Sequence, residues 1–194
     1  MSEAELSASD VYMSPSVTFE SPKRYLIRAE SGHGKSSLLN FIFGSNPSFV
    51  GDINPKPNSS EEWRKSMLSY VFQDLKLFPE LSVWDNLQLK NRLTQHKTDD
   101  EIKVYLNELG IDSKANEKVE KLSLGQRQRV AVIRALCQPF HMLLLDEPFS
   151  HLDDSNRAKI AALIERELDS RNAGLLVTSL GPDDTFNYDI EYRL

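Results

Sequence analysis

Two short stretches of this 194-residue chain carry residue types that could do chemistry together. The first is RAESGHGKSS (28–37), whose Gly34-Lys35-Ser36 ending matches the close of a phosphate-binding loop, G-x-x-x-x-G-K-[ST]. Ala29 stands where the first glycine would be. In such a loop successive backbone N–H groups lead into a helix N-terminus and form a concave anion site. The expected contacts are Ser31, Gly32, His33, Gly34, Lys35, Ser36 and Ser37. Lys35 would reach the β- and γ-phosphates of a nucleoside triphosphate, and Ser36 would ligand Mg²⁺. Ala29 would cost about 1 kcal/mol if its position needs positive φ, and little otherwise. The second stretch is MLLLDEP (142–148), an apolar run ending on two acids. Asp146 would hold the Mg²⁺ shell, and Glu147, one residue on, would polarise an attacking water as general base.

Strands and helices must position these groups. VTFE (17–20) and RYLI (24–27) read as short strands joined by a Ser-Pro-Lys turn, after a loosely held polar lead-in over 1–16. KSSLLNFIFG (35–44) reads as a helix that starts at the loop and stops at Gly44, and MLSYVFQD (67–74) as a strand. From about 75 to 122 the apolar residues fall at helical spacing, in LSVWDNLQLKNRL and DDEIKVYLNELGI. HMLLLDEP (141–148) and LLVTS (175–179) are strands, separated by a helix over 153–174 that Gly174 closes. The expected fold class is α/β: a mostly parallel sheet flanked by helices, with a small antiparallel β lead-in and an inserted α-helical subdomain at about 75–135. The whole chain, 1–194, is expected to be a single domain.

Composition narrows the function classes. The 40% hydrophobic and 27% charged fractions are those of a soluble globular protein. A formal charge of −6 argues against nucleic acid as a partner. A single cysteine, Cys137, fits a reducing compartment, most simply the cytosol. The opening MSEAELSASD is acidic and polar, the opposite of a secretory signal. No apolar run approaches the ~20 residues of a membrane span, so direct membrane insertion is not expected.

A third stretch, KLSLGQRQRVAVIRAL (121–136), resembles the signature sequence of ATP-binding cassette (ABC) ATPases, usually written L-S-G-G-Q. Leu122, Ser123, Gly125 and Gln126 match, and Leu124 replaces the first glycine of the pair. YVFQDLKLFPELSVWDNL (70–87) resembles the family's Q-loop, SHLD (150–153) its D-loop, and GDIN (51–54) the strand after the first helix. The resemblance covers about residues 17 to 180 and implies a P-loop NTPase fold. It further implies that two such domains dock head to tail around two ATP molecules, as a homo- or heterodimer. Each ATP then lies between the phosphate loop of one chain and Ser123, Gly125 and Gln126 of the other, with Asp153 in the dimer interface. Glu147, Gln73 and Lys35 take the catalytic roles, and Ser36, Gln73 and Asp146 hold Mg²⁺. A separate transmembrane permease is the expected partner, which places the chain on the cytoplasmic face of a membrane.

The family normally has a histidine in a pattern like VTHD, where this chain runs LLVTSLGPDD with Ser179 at that place. Serine is too short to reach the γ-phosphate as an imidazole would and cannot carry its charge. Slow hydrolysis, or hydrolysis that depends on a different partner subunit, is therefore expected. His151 is either a substitute for that histidine or an ordinary loop residue. Tyr12 is the nearest candidate to stack on adenine, though it stands close to the loop in sequence, and a plain tyrosine is the alternative. Three functions compete: an ABC transporter ATPase subunit, a degenerate regulatory subunit paired with an active partner, and a soluble ABC-type ATPase acting on ribosomes or DNA. The last usually carries two cassettes or long coiled-coil insertions, and neither is read in these 194 residues, so it is the least expected of the three.

Overall fold

A computed structural model describes residues 9–54, 59–150 and 152–194; His151 and the first half, 1–8, of the expected lead-in over 1–16 lie outside them. Among the described residues five strands form, β1 Arg24–Arg28, β2 Leu68–Val71, β3 Met142–Asp146, β4 Gly174–Ser179 and β5 Ile190–Arg193. They form one sheet in the order β2-β3-β4-β1-β5, and each neighbouring pair is parallel. The longer helices are α1 Lys35–Phe43, α2 Val83–Asn91, α3 Asp99–Glu108, α4 Leu124–Leu136 and α5 Asp154–Arg171.

The apolar run of β3 is explained by burial on both faces. Met142 and Leu144 join Tyr25, Ile27 and Leu176 against Leu38, Leu39 and Phe43 of α1. Leu143 and Leu145 turn the other way, into a larger cluster with Val130 and Ile133 of α4 and Ile160 and Ile164 of α5. Leu87 of α2 and Ile102 and Leu106 of α3 are fully buried in that same cluster. Gly174 opens β4 where a Cβ would lie 2.7 Å from Met142 Cε and 3.1 Å from the Lys23 carbonyl.

Three expectations are corrected. Residues 17–20 form no strand, so no antiparallel β lead-in is present among the described residues. Both edges of β1 are taken by β4 and β5, which leaves no edge for a hairpin partner. Phe19 instead packs edge-on against Tyr25, with ring centroids 5.1 Å apart. Residues 51–54 are also not a strand, and Gly51 has φ +130°. Finally, α5 is closed by Asn172 in the left-handed conformation, φ 50°, rather than by Gly174.

Candidate functional site

The phosphate loop lies between β1 and α1 and owes its shape to two left-handed glycines, Gly32 at φ +86° and Gly34 at φ +83°. A Cβ built on Gly32 would meet nothing within 4 Å, so the loop is an open cradle. Ala29 does not need positive φ; its N–H donates to the Ser179 carbonyl at 3.2 Å. The side chain of Lys35 is buried, and its Nζ donates to the carbonyls of Ala29 at 2.7 Å and Glu30 at 2.9 Å. The same Nζ lies 3.3 Å from Glu147 Oε1. Ser31 and Ser37 are exposed at the loop's two ends, and His33 sits half-buried between the glycines. The Tyr12 hydroxyl donates to the Gly34 carbonyl at 3.3 Å, so this residue lies against the loop.

Gln73 and Asp146 lie beside Lys35 and Glu147, lining one cavity with Ser36. Gln73, just past β2, donates from Nε2 to Glu147 Oε2 at 3.3 Å and accepts from Ser36 Oγ at 3.5 Å. Asp146, at the C-terminal end of β3, is buried and takes two hydroxyl hydrogen bonds. Thr178 Oγ1 donates to its Oδ1 at 2.7 Å, and Tyr70 donates to its Oδ2 at 3.1 Å. Burial and then the Asp146 charge push the Tyr70 phenol well above its usual range, so it stays a proton donor. The hydroxyl of Ser36, the amide oxygen of Gln73 and the carboxylate of Asp146 are hard oxygen donors, which is the set Mg²⁺ prefers. With the glycine cradle and a buried ammonium, these residues fit a magnesium nucleoside triphosphate.

Glu147 follows in a left-handed conformation, φ 49°, unusual for a residue with a side chain. Its N–H is held by the Thr178 carbonyl at 3.2 Å and the Thr178 hydroxyl at 3.3 Å. Its carboxylate thereby faces the phosphate loop, where a base acting on water beside a γ-phosphate belongs. Ser179 lines a cavity of ≈ 160 Å³ together with Glu147, Thr178 and Arg157, and its Oγ accepts from the Gly181 N–H at 3.3 Å. Among the described residues no imidazole lines that cavity.

The other expected residues lie apart from this group. Ser123 caps α4 and forms a reciprocal capping box with Gln126, which explains the Ser-x-x-Gln spacing. Gly125 lies in the first turn of α4, and its carbonyl accepts from Arg129 at 3.4 Å. Asp153 caps α5, accepting from the Asn156 N–H at 2.8 Å; that backbone bond holds its carboxyl below the usual range. Among the described residues no hydrogen bond joins Ser123, Gln126 or Asp153 to the phosphate loop. Sequence reading missed Tyr70 and Thr178, which no motif spacing singles out; the register of β3 with β4, Asp146 opposite Thr178, is what brings the second into place.

A glycine-rich loop between a parallel strand and a helix, with paired acids ending a neighbouring strand, defines a P-loop nucleoside triphosphatase. Residues 12–150 match the ABC transporter family, and the chain belongs to that family, as an ATP-binding subunit with ATPase chemistry. It is 35% identical over 167 residues to the thiamine import ATP-binding protein ThiQ of Haemophilus influenzae, spanning 84% of this chain and 78% of that protein. It is 37% identical over 142 residues to the molybdate/tungstate import ATP-binding protein WtpC of Pyrococcus abyssi, spanning 71% of this chain and 41% of that one. Among solved structures it resembles the dimeric post-hydrolysis state of the ATP-binding cassette MJ0796 bound to ADP and Pi. That match has a TM-score of 0.71 and 26% identity, and covers 85% of this chain and 78% of the other.

Proposed function

We propose that this chain is the ATP-hydrolysing subunit of an importer, working in pairs around ATP and driving a separate membrane permease from the cytoplasmic face. The observation that carries the reading is the convergence of Lys35, Gln73 and Glu147 on one glycine cradle, with Asp146 lining a cavity beside Ser36 and Gln73. In this reading Lys35 and the loop N–H groups hold the triphosphate, and Ser36, Gln73 and Asp146 hold Mg²⁺. Bound there, Mg²⁺ would neutralise charge on the phosphates. Glu147 orients and deprotonates water. Ser123, Gly125, Gln126 and Asp153 are the surface offered to a second subunit; that among the described residues they make no hydrogen bond to their own phosphate loop supports the half-site arrangement. Import is favoured by the names of the similar proteins. To such a permease the chain would offer Phe78, Leu89 and Leu93, which are 53%, 44% and 60% exposed within and just after the Q-loop stretch. No helix among the described residues is long and apolar enough to cross a membrane, so coupling to transport goes through that partner.

Ser179 favours a second reading, a weakly hydrolysing subunit that binds ATP and relies on an active sister chain. Steady-state hydrolysis by the isolated protein, and by an equimolar mixture with a sister subunit, separates the two. Turnover by the isolated chain that depends on Glu147 supports the first; ATP binding with turnover only in the mixture supports the second.

A further inference from the structure

The family's histidine position is a serine here, yet β4 still reaches the site, one residue earlier. Thr178 is fully buried, and its single hydroxyl proton is committed to Asp146 Oδ1 at 2.7 Å. The lone pairs of that hydroxyl, and the Thr178 carbonyl, both face the Glu147 N–H, at 3.3 and 3.2 Å. The peptide they hold is the one that puts Glu147 at φ 49°. Tyr70, from β2 on the other flank of β3, donates to the second Asp146 oxygen at 3.1 Å. Both oxygens of Asp146 and the backbone of Glu147 are thus fixed by neighbouring strands rather than by their own loop.

We infer that Thr178, with Tyr70 opposite it, is the positioning residue of the hydrolytic site: its hydroxyl couples the orientation of Asp146 to the left-handed backbone that aims Glu147 at the phosphate loop. This rests on the roles proposed above for the two acids. The arrangement needs a hydroxyl that donates one way and accepts the other, which serine supplies and valine does not. Filling space or closing β4 against β3 would be served equally well by valine.

Thr178→Val keeps the shape and removes the hydroxyl; Thr178→Ser keeps the hydroxyl and removes a methyl. Four quantities are measured for each: kcat and KM for ATP, the thermal midpoint, and the exchange rate of the Glu147 amide in nucleotide-free protein by NMR. Thr178→Val is expected to lower kcat about tenfold or more with KM within about threefold, the pattern of a misplaced catalytic group. The Glu147 amide should exchange about threefold faster or more while amides in the centre of β3 keep their rates. Thr178→Ser should return both to near the wild-type values, and Tyr70→Phe should lower kcat less. A Thr178→Val protein with kcat and Glu147 exchange close to wild type overturns the inference. So does equal impairment of both Thr178 variants with a lowered midpoint, which marks a packing role. Because amide exchange needs no nucleotide, a wild-type protein without turnover would sink the proposed function and still leave this inference decided by exchange.

Discussion

Lys35 has three N–H bonds and three acceptors: the Ala29 carbonyl, the Glu30 carbonyl and Glu147 Oε1. An ammonium with a 5% exposed side chain is sustained only because each proton has a partner. Lys35→Met removes this ammonium from the cradle. ATP affinity measured by calorimetry should fall roughly 10- to 100-fold, the worth of one charge-assisted hydrogen bond. Ser179 is the residue that sets the rate in this account. The cavity of ≈ 160 Å³ it lines beside Glu147 offers room for a ring. Ser179→His should therefore raise steady-state turnover about tenfold or more; an unchanged rate would show that the missing imidazole is not what limits hydrolysis.

At the scale of elements, the helical segment is tied to the sheet-side helix α5 by a buried charged group. Glu167 of α5 accepts from Tyr105 of α3 and from Arg171, and lies 3.2 Å from Lys97 Nζ in the α2–α3 connection. Arg171 also donates to the carbonyls of Leu136 and Gln138 and stacks on Phe140 at 4.3 Å, so α4's end joins the same knot. Burial works against the charge of Glu167, but the hydrogen bonds from Tyr105 and Arg171 outweigh it and hold the carboxyl below its ordinary range. A carboxyl depressed in the folded state stabilises fully above its unfolded pKa, about 4.3, and this contribution is lost as pH falls through the lower folded value. Glu167→Gln should cost roughly 3 kcal/mol near neutrality. It should also flatten the acid side of the stability curve, as denaturant titrations at pH 3, 4 and 7 would show; a parallel loss at every pH would contradict this role. None of this network was legible in the sequence, where Glu167 reads as one more charge on a helix. The loop, β3 and the start of α4 were legible because their chemistry is contiguous: glycines, an apolar run and a capping box each fix local geometry. The lead-in over 17–20 misled because strand propensity says nothing about whether a partner edge is free. Residues 190–193, an alternating edge strand, went unread, and Tyr70 and Thr178 depend on register across β2, β3 and β4.

On the scale of the molecule, one chain presents two unlike surfaces: the cradle with Lys35 and Glu147, and the capped helix starts at Ser123 and Asp153. If each ATP is enclosed by both, a variant that binds but does not hydrolyse should accumulate as a pair. Glu147→Gln with ATP and Mg²⁺ should run in light scattering at about twice the 22.1 kDa of the single chain, and at the single mass without nucleotide. Adding Ser123→Arg should abolish that shift while leaving the fold intact; a shift that survives it places the contact elsewhere. Glu147 as the base of an ATPase is the role on which the proposed cycle turns, and steady-state ATP hydrolysis by the purified wild-type chain against Glu147→Gln tests it. The prediction is measurable, Mg²⁺-dependent turnover in the wild type and a loss of about 100-fold or more in the variant, with ATP binding retained. Equal rates in the two proteins would contradict it.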